Sequence, residues 1–139
     1  MTLELYMVGV IVADMPRAVE FYRRLGVDMP VESEDHEHVE VKMRGGLTFF
    51  LSTKRANARW DPGRTDSSGG YRVVLEFWLE TRDALDAKYA EMVGHGYTGH
   101  CAPYDVTDDL RFAMVNDPDE NTILLSAYAG TTPSERAPA

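Results

Sequence analysis

Cysteine is almost missing from this chain. Cys101 is the only one, so no internal disulfide can staple the fold, and the chain reads as a resident of a reducing cytoplasm. Basic charge is also short. With 14 Lys and Arg against 23 Asp and Glu, the net charge is −9, which argues against nucleic acid as a partner because phosphates reward a basic face. No apolar run approaches the roughly 20 residues of a bilayer span. Met1 to Met7 has neither the basic n-region nor the apolar h-region of an export signal, so no membrane is expected. Nucleophile elbows, glycine-rich phosphate loops and serine–histidine pairings are missing too. What remains is 139 residues, enough for one domain with a real core.

What is present is a repeat. A strand-then-helix pattern runs from Tyr6 to Leu25, paired strands follow from Val39 to Ser52, and the cycle restarts at Tyr71 and runs to Tyr128. Phe21, Leu25 and Gly26 close the first helix; Tyr89, Val93 and Gly94 close the second, about 68 residues later. Such self-similarity outranks any local motif as a guide to architecture.

Within the first module, Val8, Val10 and Val12 alternate with Met7, Gly9 and Ile11, the period of a strand over Tyr6 to Ala13. Asp14 caps a helix with Pro16 in its first turn, where a missing N–H costs nothing. Ala18, Phe21, Tyr22 and Leu25 fall at helical spacing and should be buried, and Gly26 supplies the left-handed stop. Glu32 to Glu37 reads as a loop or frayed edge. His38 to Arg44 and Leu47 to Ser52 form a hairpin around Gly45-Gly46. The stretch from about 53 to 70, rich in Gly, Ser and Pro, reads as a joint.

In the second module, Tyr71 to Leu79 suits a central strand. Thr81 caps the next helix, whose buried stripe is Leu85, Tyr89, Met92 and Val93. A short strand near Cys101 to Tyr104, a loop, a strand over Arg111 to Asn116 and a tight turn at Asp117-Pro118-Asp119-Glu120-Asn121 lead into the last strand, Thr122 to Tyr128. Gly130 to Ala139 is expected to be a disordered tail.

These residues resemble a known family. Val12-Ala-Asp14-Met-Pro-Arg-Ala-Val-Glu-Phe21-Tyr22-Arg-Arg-Leu25-Gly26 is similar to the first strand and helix of the vicinal oxygen chelate superfamily, which holds glyoxalase I, extradiol dioxygenases and bleomycin-resistance proteins. Arg111 to Leu125, with Asp117-Pro118-Asp119-Glu120-Asn121, resembles its closing hairpin, usually written Asp-Pro-x-Gly-Asn. Leu75 to Leu79 followed by Leu85 to Met92 looks like its second strand and helix. The resemblance covers Leu5 to about Ala129. It implies an α+β domain of two tandem βαβββ modules, about 5–52 and 71–129, whose curved mixed sheet forms a cup with helices outside. Glu120 departs from the usual Gly, and a left-handed residue there costs about 1 kcal/mol or more, so a turn of different shape is expected.

Metal-dependent relatives hold a divalent ion with His or Glu pointing into the cup. The resemblance places those positions at Met7, Val74 and Leu124, and near Phe50. None offers imidazole or carboxylate, so no metal and no cofactor is expected. His36, His38 and Glu40 would share one face if all lay in a strand. That trio reads either as a solvated edge or as an adventitious metal site. His95 and His100 read as loop residues, and Cys101 as a buried small hydrophobe.

Strand alternation fills the cup instead. Met7, Gly9, Ile11, Thr48, Phe50 and Ser52 share its first half; Val74, Glu76, Trp78, Leu124, Ser126 and Tyr128 share the second, joined by Tyr104, Phe112 and Met114. Trp78 serves as a stacking platform or as a core or interface tryptophan. Glu76 holds a polar ligand group or pairs with Arg72 or Arg111. Trp60 is a lid or an anchored loop residue. The expected ligand-binding set is Met7, Ile11, Phe50, Trp60, Val74, Glu76, Trp78, Tyr104, Phe112, Met114, Leu124 and Tyr128.

That apolar, aromatic pocket reads as a metal-independent antibiotic-binding protein of the bleomycin-resistance kind. It would sequester a bulky aromatic natural product such as a bleomycin, a mitomycin or an enediyne. The resemblance suggests a homodimer. The alternative is a metal-free isomerase or cyclase of the same fold, with Glu76 as acid or base.

Overall fold

Asp14 and Gly26 bracket the first helix in the way their chemistry requires. The Asp14 carboxylate accepts from Arg17 N at 3.0 Å, and Gly26, at φ +122°, donates back to Tyr22 and Arg23 carbonyls. The computed structural model describes residues 2–67 and 73–129; the expected tail, Tyr71 and Arg72 lie outside them. The class is α+β, with two separate sheets of mixed direction. The chain divides into two compact units, Met1–Gly69 and Gly70–Ala139.

The first unit runs β1 (Met7–Val12), α1 (Met15–Leu25), a single 3-10 turn (Ser33–Asp35), β2 (His38–Lys42), β3 (Thr48–Thr53) and α2 (Lys54–Trp60). Its sheet has the order β1-β3-β2, with β1 parallel and β2 antiparallel to β3. Val8, Val10, Phe49, Leu51, Val39 and Val41 form one face by register. α1 packs there through Tyr22, whose ring lies 5.2 Å from Phe49. The expected helix stripe Ala18, Phe21, Tyr22 and Leu25 is buried. The hairpin turns at Gly46, φ +94°, and closes with Met43 N donating to Leu47 O at 2.8 Å.

Two features differ from expectation. The first sheet has three strands where the resemblance implies four. Pro30 lacks an N–H for a ladder, and its carbonyl instead accepts from Ser33 Oγ at 2.5 Å and Arg23 Nη2 at 3.0 Å. Val27 and Met29 turn inward, so the segment folds as an anchored loop. The stretch read as a joint opens on α2, capped by Thr53 Oγ1 accepting from Ala56 N at 3.1 Å.

The second unit runs β4 (Leu75–Trp78), α3 (Arg82–Gly94), β5 (Gly99–Thr107), β6 (Leu110–Asn116) and β7 (Thr122–Tyr128), in sheet order β4-β7-β6-β5. Ala113, Val115, Ile123, Leu125 and Ala127 on one face are fully buried. α3 covers that face. Asp86 accepts from Arg111 Nε at 2.8 Å, and the Tyr89 hydroxyl fills the space beside Gly99. In the expected α3 stripe, Leu85 and Met92 are buried, Tyr89 is half-buried and Val93 is exposed. β4 is shorter than expected, Cys101 is half-buried, and His100 lies inside β5, which is far longer than the short strand expected there.

The closing turn keeps the left-handed residue that its Glu was expected to disfavour. Glu120 has φ +66°. Buried Asp117 holds the turn: its Oδ1 accepts from Asp119 N at 2.9 Å and Asn121 N at 2.8 Å, and its Oδ2 from Asn121 Nδ2 at 2.9 Å. Those three bonds outweigh a strain of about 1–2 kcal/mol. Among the described residues no helix is long and apolar enough to cross a membrane.

Candidate ligand-binding faces

Each sheet has one face covered by helix α1 or α3 and a second face where the expected site residues collect. In the first unit, register sets Met7 beside Thr48, Gly9 beside Phe50, and Ile11 beside Ser52, with Lys42, Glu40 and His38 completing the three rows. Phe50 is the centre of this face. His38 lies 5.1 Å from its ring at 34°, and Trp60 meets it edge-on at 6.4 Å. Trp60 is 56% exposed at the end of α2. It is a helix residue leaning on Phe50, not part of a free loop.

The histidine trio does not assemble. β2 begins at His38, and His36 lies outside the strand, at the end of the 3-10 turn. His38 Nε2 and Glu40 Oε2 bond to each other at 3.0 Å, while Glu37 turns to Arg59 at 2.8 Å and Arg55 at 3.4 Å. Among the described residues no group of three His, Cys, Asp or Glu side chains could hold a metal ion. The positions to which the resemblance assigns metal ligands, Met7, Phe50, Val74 and Leu124, carry thioether, phenyl and alkyl groups. These side chains do not fit a divalent ion.

In the second unit the rows are Glu76–Leu124–Met114–Cys101 and Trp78–Ser126–Phe112–Tyr104. The face therefore gathers Glu76, Trp78, Leu124, Phe112, Met114 and Tyr104, with Tyr128 two residues beyond Ser126 on β7. Tyr104 stands edge-on to Phe112, 6.4 Å away at 89°. It stays on this face because β5 carries an extra residue between Cys101 and Tyr104. Val74 is not in the row. It precedes β4 and is 40% exposed.

Glu76 also departs from expectation. It is exposed rather than buried, and Arg111 bonds Asp86 and Asp105 at 2.8 and 2.9 Å rather than Glu76. Those two carboxylates, Asp86 first, hold the Arg111 guanidinium above its usual range. Arg72, the other expected partner, is outside the described residues. Trp78 is half-buried, with its Nε1 closed to solvent.

Two serines are more closely built into these faces than the sequence suggested. Ser52 and Ser126 are fully buried, and neither Oγ has a hydrogen-bond partner among the described residues. A signal for them was there to read: Thr48-Phe-Phe-Leu-Ser52 recurs as Thr122-Ile-Leu-Leu-Ser126, 74 residues later. The pattern Thr-x-x-Leu-Ser marks the same strand in each module.

Comparison with known proteins agrees with this architecture. Residues 5–125 match the family model described as the Glyoxalase/Bleomycin resistance protein/Dioxygenase superfamily, and the chain belongs to that family. A glyoxalase/bleomycin resistance protein/dioxygenase family enzyme from Burkholderia phytofirmans is similar in fold, at TM-score 0.77 and 18% identity over 91% of this chain and 99% of its own. A glyoxalase-related enzyme from Fulvimarina pelagi gives TM-score 0.75 at 14% identity, over 91% and 88% of the two chains. Among curated proteins, a serine–tRNA ligase from Chromobacterium violaceum is 31% identical over 86 residues, 62% of this chain. The chain spans only 18% of that ligase's length.

Proposed function

We propose that this protein binds and sequesters a bulky, flat natural product of the antibiotic type without a metal ion. The observation that carries the reading is the composition of the second sheet's face opposite α3. Trp78, Phe112 and Tyr104 offer aromatic surface along one row, Met114 and Leu124 offer adaptable apolar surface along the next, and Glu76 is the one carboxylate in those two rows. Such a face rewards stacking and burial but offers little to a reaction that must move charge. An acidic chain attracts cationic drugs of the bleomycin kind. We take the protein to be cytoplasmic and to act as a homodimer, which would elute in size-exclusion chromatography at twice its 15.6 kDa.

The rival is a metal-free isomerase or cyclase with Glu76 as acid or base. Its support is weaker because that carboxylate is open to water and lacks the burial that tunes a catalytic group. Incubation with bleomycin, mitomycin C or an anthraquinone-fused enediyne, followed by extraction and mass spectrometry, separates the two. Stoichiometric binding with unchanged ligand supports sequestration. A converted product overturns it.

A further inference from the structure

The buried serine of the second module has a specific neighbour. Ser126 and Trp78 are register partners across β7 and β4, so both side chains rise from the same face of adjacent strands. Ser126 Oγ and Trp78 Nε1 are each closed to solvent and without a partner among the described residues. An indole N–H can only donate; a serine hydroxyl donates or accepts. A buried polar atom left unpaired is costly and rare in native proteins, and here two are carried by residues paired across adjacent strands. The first module repeats half of the arrangement at Ser52, beside Ile11 and His38.

The group that satisfies both atoms must accept hydrogen bonds, since Nε1 can do nothing else. It must also be part of something flat, because Phe112 flanks Ser126 on its other side and Tyr104 extends the row. A carboxylate or phosphate fits poorly: Glu76 occupies the next row and the chain carries a net charge of −9. We propose that Trp78 Nε1 and Ser126 Oγ form a two-donor anchor for a neutral carbonyl oxygen on a planar ring system, the chemistry of a quinone. This rests on the sequestration reading and narrows its ligand class. Ser126 becomes the specificity-determining residue. Both donors are closed to solvent, so the oxygen reaches them as the Trp78 side chain re-seats.

The test uses 9,10-anthraquinone and anthracene, the same ring system with and without oxygens. Equilibrium dialysis gives both affinities, and the indole N–H signals of Trp60 and Trp78, assigned with Trp78→Phe, report the hydrogen bond directly. We expect anthraquinone to bind at least tenfold more tightly and to move the Trp78 signal downfield, with anthracene leaving it near its free position. Ser126→Ala should abolish most of that preference while keeping the anthracene affinity and leaving the melting temperature unchanged or raised. Equal affinities for the two probes, or an unmoved Trp78 signal at saturation, would overturn the carbonyl anchor and leave flat-ligand sequestration standing. A lowered melting temperature with both affinities reduced alike would make Ser126 structural and likewise overturn it. Binding of neither probe overturns the anchor, and the sequestration reading then stands or falls on the incubations with bleomycin and mitomycin C.

Discussion

The ring of Phe50 occupies the space that a side chain on Gly9 would need. The two residues are register partners across β1 and β3, and the ring is already bordered by His38 and Trp60. Gly9→Ala must therefore displace a ring with little room to move. Overpacking of this kind costs about 1–3 kcal/mol, and Gly9→Ala should melt correspondingly earlier. Combining it with Phe50→Leu should recover part of the loss, which a double-mutant cycle by urea denaturation would register as coupling. Additive losses would mean that the contact does not limit this position.

Glu120 presents the opposite case, a side chain where the backbone prefers none. Its left-handed conformation costs about 1–2 kcal/mol, and glycine would return about 0.4–1 of that through a freer unfolded chain. Glu120→Gly should therefore stabilise by about 0.5–1 kcal/mol, whereas Glu120→Ala should not. Thermal melts of the three proteins decide the matter.

Acid should loosen the first unit at a definite place. The Arg23 guanidinium, bonding Glu34 at 2.9 Å, holds that carboxyl below its ordinary 4.5. A lowered folded-state value means the contribution is fully present above 4.5 and is lost as pH falls through the lower folded value. Glu34→Gln should therefore lose a little stability at pH 7, where the contribution is full, and converge with the parent as pH falls through the lower folded value, which flattens the acid limb. The effect is small because the pair is exposed. A carbon-detected NMR titration of Glu34 should give a midpoint below 4.5 that rises toward it in Arg23→Gln.

Trp78 and Glu76 divide stacking from acid–base chemistry. Trp78→Ala should weaken a flat ligand by about 2 kcal/mol, roughly thirtyfold in Kd, while Glu76→Gln changes affinity for a neutral ligand less than threefold. Isothermal titration of both variants against mitomycin C measures this. A larger loss with Glu76→Gln would count against sequestration on the aromatic row.

Much of the fold could be read from local chemistry. Val8-x-Val10-x-Val12 declared two faces, Asp14 and Gly26 declared two helix ends, and the register of β1 with β3 puts Met7, Gly9 and Ile11 where alternation placed them. Val74 keeps the alternation of Glu76 and Trp78 but lies one residue before β4, which begins at Leu75, so it stands outside the paired rows. α2 escaped because seven residues ending in Arg-Trp are too few to display an apolar period. Alternation puts Ser52 and Ser126 on these faces but does not give their full burial, because a serine inside a strand looks like a solvated residue.

The three irregularities in β5 reach beyond the placing of Tyr104. Nine residues of this strand lie along only six of β6, Leu110 to Val115. β5 ends its sheet, and its Tyr104 and Val106 are more than two-fifths exposed. A straight, apolar border strand would be a template for another chain. Each surplus residue breaks the even spacing of N–H and C=O groups and increases the local coil of the strand. The protein can therefore display aromatic surface at its rim and still resist growing into a fibril.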